Sequence, residues 1–469
     1  MEGKLEVPPV FDCLQDIYGP VNDRIKKRYE KIISRFQLKY GSAPEVFVRA
    51  PGRVNLIGEH IDYCGYAVFP MALEQDIVIA LSKNEEDKLV MCNTDETFGE
   101  LSCSSSDYEI NGQSWYHYIL CGHKGITEHF NMDKPVGMKM VVDGTVPKSA
   151  GLSSSSALVC CASLATMFAN GRQLTKYELA DICKKCERYI GTQGGGMDQS
   201  ISFLALRGTA KLIEFNPLTA TDVKLPSGAV FVIANCLREM KKSETAGTHF
   251  NVRVAEDRVA GQVLAKLHGL DWKNLRRLAD VQKTLGKTLA EMVEIVKEKL
   301  HKQPYSRKEI CEILEVSEED FISYCLNPRP VSVDSFKLHD RAFHVYSEAN
   351  RVLTFKQVCE ENKSNSLELL GALMNESHTS CSELYECSCD ELDELAQLCR
   401  DSGALGSRLT GAGWGGCTVS LVPSSKLDSF LENVKGNYYI GRPFREARLA
   451  ESLFATEPGS GASISKGNI

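Results

Sequence analysis

Twelve residues, Gly52 to Tyr63, hold Arg53, Glu59, His60 and Asp62. Their spacing is neither alternating nor helical, so the segment reads as one that lines a site and not as one face of a helix or strand. Carboxylates accept hydrogen bonds from vicinal hydroxyls and an imidazole can donate or accept, so Glu59, His60 and Asp62 suit a polyol such as a sugar. The guanidinium of Arg53 can offset negative charge that builds during group transfer. The same four residues would also serve as a structural salt-bridge cluster at a strand-helix junction.

A second cluster, Lys148-Ser149-Ala150-Gly151-Leu152-Ser153-Ser154-Ser155-Ser156-Ala157, joins a strand ending at Asp143-Gly144 to an apolar helix. Small residues let the backbone approach a ligand closely, and the first N–H groups of a helix are free to bind an anion. Four consecutive hydroxyls add donors for phosphate oxygens and one contact to magnesium. A plain helix cap needs one Ser, not four behind a Gly. No Gly-Lys-Ser/Thr follows, so this is not a Walker A loop. Gly411-Ala412-Gly413-Trp414-Gly415-Gly416 satisfies G-x-G-x-x-G, but it runs into a strand-like stretch, whereas the dinucleotide fingerprint opens a helix.

Two further carboxylates stand out. Glu187 ends a helical stretch, and Asp198 follows Gly194-Gly195-Gly196-Met197. A kinase needs one carboxylate to orient or deprotonate the attacking hydroxyl and another to hold magnesium near the phosphates. By residue type alone, Glu187 reads first as a solvated helix face beside Arg188, and Asp198 equally as a turn acid.

The elements that must position these groups follow from periodicity. Strands are predicted over 46–49, 77–82, 138–142, 229–235, 416–422 and 452–455, and a hairpin over 201–206 and 209–215, split by Arg207-Gly208. Helices are predicted over 21–40, 175–189, 251–268, 275–299 and 335–359, and one within 151–170 behind the Gly/Ser loop. A polar connector ends near residue 222, which divides the chain into an N-terminal extension (1–24), a lobe over 25–222, a second lobe over 223–456 and a Gly/Ser-rich, frayed tail over 457–469. The class is α+β in two lobes, with the ligand expected between them.

Bulk composition narrows the function. The chain has 469 residues and a formal net charge of -8, which argues against sequence-independent nucleic-acid binding. The N-terminus lacks a signal-peptide pattern and no run of 18 apolar residues occurs, so secretion and membrane spanning are not expected. The 18 cysteines then read as reduced core thiols, the Cys183/Cys186 pair included, and the sequons at Asn362 and Asn375 carry little meaning in a cytosolic chain.

The clusters together resemble the GHMP kinase superfamily, and within it the galactokinases. Three superfamily motifs occur in order: Pro51-Gly52-Arg53-Val54-Asn55, Gly151 to Ala157, and Leu409 to Gly416. The galactokinase signature G-R-x-N-[LIV]-I-G-[DE]-H-x-D-Y matches Gly52 to Tyr63 throughout. His60 to Tyr66, Glu187 to Asp198 and Tyr385 to Cys389 look most like the N-acetylgalactosamine kinases. The resemblance implies a two-lobed GHMP kinase fold: an N-terminal mixed α/β lobe, a C-terminal ferredoxin-like lobe with extra helices, and the active site between them.

It also implies phosphorylation of the anomeric hydroxyl of N-acetylgalactosamine by ATP with Mg2+. Asp198 would be the base, with Arg53 beside it, and Glu59, His60 and Asp62 would hold the sugar. Gly151, Ser153, Ser154 and Ser155 would cradle the phosphates. Ser153 and Glu187 would lie nearest magnesium, and Trp115, Lys241 and Lys242 near the nucleotide. Cys64-Gly65-Tyr66, small then aromatic, supports the larger sugar. Galactose as main substrate is the alternative, and a non-catalytic sugar and ATP sensor a further one. The partners implied are small molecules, with no nucleic acid or membrane, in a cytoplasmic monomer. One departure is Phe250, where galactokinases carry Tyr.

Overall fold

A computed structural model describes residues 5–112, 114–191, 194–238, 249–327, 331 and 333–468. Its strands are β1 (Val10–Cys13), β2 (Val46–Asn55), β3 (Pro70–Asn84), β4 (Lys88–Asn93), β5 (Leu101–Ser104), β6 (Gly137–Gly144), β7 (Ala210–Glu214), β8 (Thr219–Val223), β9 (Ala229–Asn235), β10 (Tyr305–Ser306), β11 (Ser335–Phe336), β12 (Gly406–Thr410), β13 (Cys417–Pro423), β14 (Leu453–Thr456) and β15 (Ser463–Asn468). A seven-stranded sheet runs β1-β15-β2-β3-β6-β4-β5, and a four-stranded antiparallel sheet runs β12-β13-β9-β14.

The large sheet is apolar on both faces, which is why its strands read as continuous hydrophobic runs. Val46, Val48 and Ala50 of β2 face the main core, while Phe47 between them joins Tyr29, Ile32 and Phe36 of the helix Asp23–Tyr40 on the other face. Asn22 caps that helix by accepting the Ile25 N–H at 3.0 Å, and Gly41, at φ 73°, ends it. β2 extends past its predicted end because the register shifts between Pro51 and Arg53. That bulge accommodates the missing proline N–H and re-aims Arg53.

Four expectations are corrected. The stretch 201–206, predicted as a strand, lies mostly in the helix Met197–Leu204; a short apolar run does not distinguish the two. The hairpin falls one element later, as β7 and β8. The helix predicted over 275–299 is two, Leu278–Leu285 and Leu289–Lys299, separated at Gly286 and restarted by a Thr288/Glu291 capping box. The tail is not frayed, since β15 lies between β1 and β2 in the large sheet. Its glycines serve close approach: a Cβ on Gly459 would come 2.5 Å from the Leu73 carbonyl oxygen. The N-terminal residues are likewise part of that sheet through β1.

Asp76 holds these segments together. Its carboxylate takes the Arg28 guanidinium at 2.5 Å, the Tyr18 hydroxyl at 2.7 Å and Arg49, while Arg49 also donates to the carbonyls of Ser460 and Gly461. Burial alone would push this carboxyl up, but Arg28 and Arg49 outweigh it and hold Asp76 below the usual carboxylate range. Removing one partner of a buried ion cluster strands the others, so Asp76→Ala is expected to cost about 3–5 kcal/mol in denaturant unfolding. A loss under about 1 kcal/mol would contradict this role.

Candidate active site

The helix Met197–Leu204 brings Asp198 to the bulged end of β2. Arg53 Nε donates to Asp198 Oδ1 at 2.9 Å, and another guanidinium nitrogen donates to the Gly151 carbonyl. The Arg53 side chain is 4% exposed and that of Asp198 14%, so water screens the pair weakly. Ser156 Oγ lies 2.9 Å from Glu187 Oε1 and 3.4 Å from Asp198 Oδ2, and the Gln199 amide donates to the other Glu187 oxygen. Glu187 is therefore buried in this network and not on a solvated helix face.

Around this pair lies a cavity lined by Arg53, Glu59, His60, Asp62, Glu187 and Asp198, together with Lys184, Gly194 to Met197, Phe250 and Ala412. Asp62 faces inward beneath the glycine run, and a Cβ on Gly195 would meet its Oδ2 at 2.3 Å. Burial, then the nearby Asp198 charge, push the Asp62 carboxyl up, against the opposing N–H donors of Tyr63 and Met197. Glu59 Oε1 accepts the Gly411 N–H at 2.8 Å and lies 3.3 Å from Arg408. Both ring nitrogens of His60 already bond the protein: Nδ1 with the Tyr63 hydroxyl at 2.7 Å and Nε2 with the Ala412 carbonyl at 3.0 Å. Phe250 offers the cavity a ring without a hydroxyl, 5.7 Å from His60.

Several residues that build this cavity escaped the sequence reading. The second lobe grips the 55–60 loop through Glu348, His344 and Arg408. Glu348 accepts the Gly58 N–H at 2.9 Å, His344 bonds the Glu59 carbonyl at 3.1 Å, and Arg408 donates to the Asn55 carbonyl at 3.1 Å. Desolvation pushes His344 down to about 4, so it stays a neutral donor; burial of Glu348 is outweighed by Arg351 and Arg408, which hold its carboxyl at about 2. The only signal for His344 and Glu348 in sequence is polarity on one helix, and for Arg408 polarity within a buried strand. Lys184 had no signal beyond being one of two adjacent lysines; desolvation pushes its ammonium down although Asp62 attracts it.

A second cavity, of about 590 Å³, is lined by Gly151, Ser153, Ser154, Ser155 and Trp115 among others, and shares Arg53 and Ala412 with the first. The helix Ser154–Ala169 starts without a side-chain cap, its N-cap Ser153 sits at φ 61°, and Ser153 Oγ is buried without a partner among the described residues. Those free donors and that orphaned oxygen fit a phosphate with its cation. Trp115 donates to the Gly99 carbonyl at 3.0 Å and presents its ring to the cavity beside Phe98. The floor is a backbone contact between two loops: a Cβ on Gly151 would lie 2.6 Å from the Thr410 oxygen, and one on Gly411 2.4 Å from the Gly151 oxygen. Ser153 and Glu187 line different cavities. Lys241 and Lys242 lie outside the described residues.

Fold and motifs together define the class. Residues 117–205 match the GHMP kinase N-terminal domain, residues 355–440 the GHMP kinase C-terminal domain, and residues 34–83 the galactokinase galactose-binding signature. The Lactococcus lactis galactokinase, solved in complex with galactose, has the same fold, with a TM-score of 0.71 at 24% identity over 92% of this chain and 99% of that one. A galactokinase of Dictyostelium discoideum is 43% identical over 98% of both chains, and one of Candida parapsilosis is 35% identical over 94% of this chain and 95% of that one. The chain belongs to the galactokinase family.

This corrects the expected preference for N-acetylgalactosamine, since the relatives from Dictyostelium discoideum, Candida parapsilosis and Saccharomyces cerevisiae, at 43, 35 and 34% identity, are galactokinases. The structure removes the residue argument behind that expectation. Cys64, Gly65 and Tyr66 do not line the cavity of Arg53 and Asp198. The Cys64 thiol donates to Asp257, and the Tyr66 hydroxyl donates to Gln282 at 2.7 Å. No helix among the described residues is long and apolar enough to cross a membrane.

Proposed function

We propose that this protein is a galactokinase, transferring the γ-phosphoryl group of ATP to the anomeric hydroxyl of galactose. The observation that carries the reading is the buried Arg53–Asp198 pair standing where the two cavities meet. The sugar occupies the first cavity, with Glu59, Asp62 and the His60 wall around its hydroxyls. The nucleotide occupies the second, with its phosphates at Gly151 and Ser153 to Ser155 and its base near Trp115.

Asp198 takes the proton from O1 as O1 bonds to the γ-phosphorus. The bond from that phosphorus to the bridging oxygen breaks, and ADP leaves with the electron pair. Arg53 stabilises the negative charge spread between the entering oxygen and the phosphoryl group. The Ser153 hydroxyl, which has no partner among the described residues, would hold the Mg2+ that accompanies ATP, and that ion would neutralise phosphate charge there.

The test is a panel of sugars in an ADP-release assay. Galactose should give the highest kcat/KM, above N-acetylgalactosamine and above glucose, its epimer at C4. ADP release indifferent to added sugar, or N-acetylgalactosamine preferred tenfold over galactose, would overturn the assignment.

A further inference from the structure

A hydrogen-bonded chain leaves the sugar cavity and ends at a buried acid outside it. Ala412, which lines both cavities, accepts from His60 Nε2; His60 Nδ1 meets the Tyr63 hydroxyl; and Tyr63 meets the Tyr385 hydroxyl at 2.7 Å. Tyr385 in turn meets Asp257 Oδ2. We propose that Asp257, through Tyr385 and Tyr63, sets which nitrogen of His60 carries the proton and thereby holds or releases the Ala412 loop, making Asp257 and Tyr385 positioning residues for phosphoryl transfer. The inference rests on the kinase reading above for its effect on turnover, though not for the relay itself.

The chain has four links: Asp257–Tyr385, Tyr385–Tyr63, Tyr63–His60 and His60–Ala412. With Asp257 protonated and His60 neutral, four mobile protons fill all four links in one direction, and His60 donates from Nε2 to the carbonyl. Removing one proton leaves three for four links. An ionised carboxylate keeps its own link filled, because a charge-assisted bond from Tyr385 is the strongest of the set. The Tyr63–Tyr385 and His60–Tyr63 links are both 2.7 Å long and the His60–Ala412 link 3.0 Å, so two facing lone pairs repel least at the last. Tyr63 then donates to Tyr385, and His60 donates from Nδ1 to Tyr63. Nε2 is left as a bare lone pair against the Ala412 oxygen, so the deficit appears at the far end of the chain, in the active site.

Asp257 is placed to make that switch near neutral pH. It is 3% exposed, and its Oδ1 has no partner among the described residues, an arrangement cheaper for a neutral acid than for a carboxylate. Burial pushes its carboxyl up to about 7, with Glu256 adding to the rise and the Tyr385 and Cys64 donors and Arg341 opposing it. Tyr346 packs nearby, and Asp62, Lys184 and Arg188 share with Asp257 the cavity behind the sugar site. Arg258, Arg276 and Arg277 complete its charged wall. Around His60 stand the Tyr385, Phe250 and Trp414 rings, with Arg53, Glu59, Asp62, Lys184, Glu187 and Asp198 as the charged groups of its cavity. A group with this raised value holds its proton below about pH 7 and loses it as pH rises through that point.

The wild-type kcat/KM for galactose at saturating ATP should fall about tenfold from pH 6 to pH 8, the span of one ionisation near 7. In Asp257→Asn, whose amide donates at every pH, and in Tyr385→Phe, which cuts the chain, the pH 6 to pH 8 ratio should approach one. An unchanged ratio in either variant overturns the relay. Nitrogen-15 NMR of the wild type without substrates decides it independently of activity and of any variant's folding. The His60 signal, assigned by its loss in His60→Gln, should report the Nε2–H tautomer at pH 6 and Nδ1–H above pH 8. Nδ1–H at pH 6 would refute the proposal even in an active galactokinase, while the predicted pair of tautomers would support it even if another sugar proved to be the substrate.

Discussion

Asp198→Ala is expected to lower kcat by about 10²-fold or more while sugar binding survives within a few-fold, because base and positioning effects are each worth about that much. The substitution removes the carboxylate that Arg53 Nε holds at 2.9 Å and leaves the Arg53 bond to the Gly151 carbonyl in place. The walls of the sugar cavity therefore persist. Glu59 remains pinned by Gly411 and Arg408, and the 55–60 loop by Glu348 and His344. Asp62 also loses the neighbouring charge that helps to push its carboxyl up, so it becomes more readily ionised, which favours hydroxyl binding. Titration calorimetry with galactose and a steady-state ADP assay check the two halves separately. Turnover within tenfold of wild type would remove Asp198 from the chemistry.

Arg53→Lys should be nearly as damaging although the charge is kept. The guanidinium bonds Asp198 from one nitrogen and the Gly151 carbonyl from another, linking the sugar cavity to the phosphate loop. A lysine ammonium is a compact point charge on a flexible stem and cannot reproduce that fork. With the pair 4% and 14% exposed, water cannot substitute freely for the lost bond. A fall in kcat of about 10²-fold is expected, since one positioned donor at a developing charge is worth roughly that. The KM for galactose should change less than kcat, which steady-state kinetics at saturating ATP will read. A lysine variant with near-normal kcat would mean that charge alone, and not geometry, is what Arg53 provides.

The part of the site carried by contiguous residues was legible in the sequence. Gly52 to Tyr63 and Gly151 to Ala157 each stand out by residue types that suit a ligand better than a regular face, and residues of both segments line the cavities. What was not legible depends on contacts between distant segments. Glu348 lies 290 residues from the Gly58 N–H that it accepts, and polarity on its helix, the one local signal, does not say what it bonds. His60 is the converse case: its type promised a sugar ligand, while the fold occupies both its nitrogens with Tyr63 and Ala412. Glycine-rich segments misled where close approach, and not freedom, was the reason for the glycine. Gly459 reads as part of a loose tail but threads against the Leu73 backbone ahead of β15. The strand predicted over 46–49 stops before Pro51, yet a bulge lets β2 continue to Asn55. Cys64 to Tyr66 lie next to the sugar motif in sequence, but their side chains point to Asp257 and Gln282, so adjacency in sequence carried no information about the sugar.

The measurement closest to the centre of this account is the position of phosphate on the product. With the purified protein, ATP, magnesium and galactose, phosphorus NMR should show one sugar phosphate formed per ADP, its phosphorus coupled to the anomeric proton. That result makes the C1 hydroxyl the phosphoryl acceptor, as the site requires. Phosphate on any other carbon, or ADP released with no phosphorylated sugar, would contradict it.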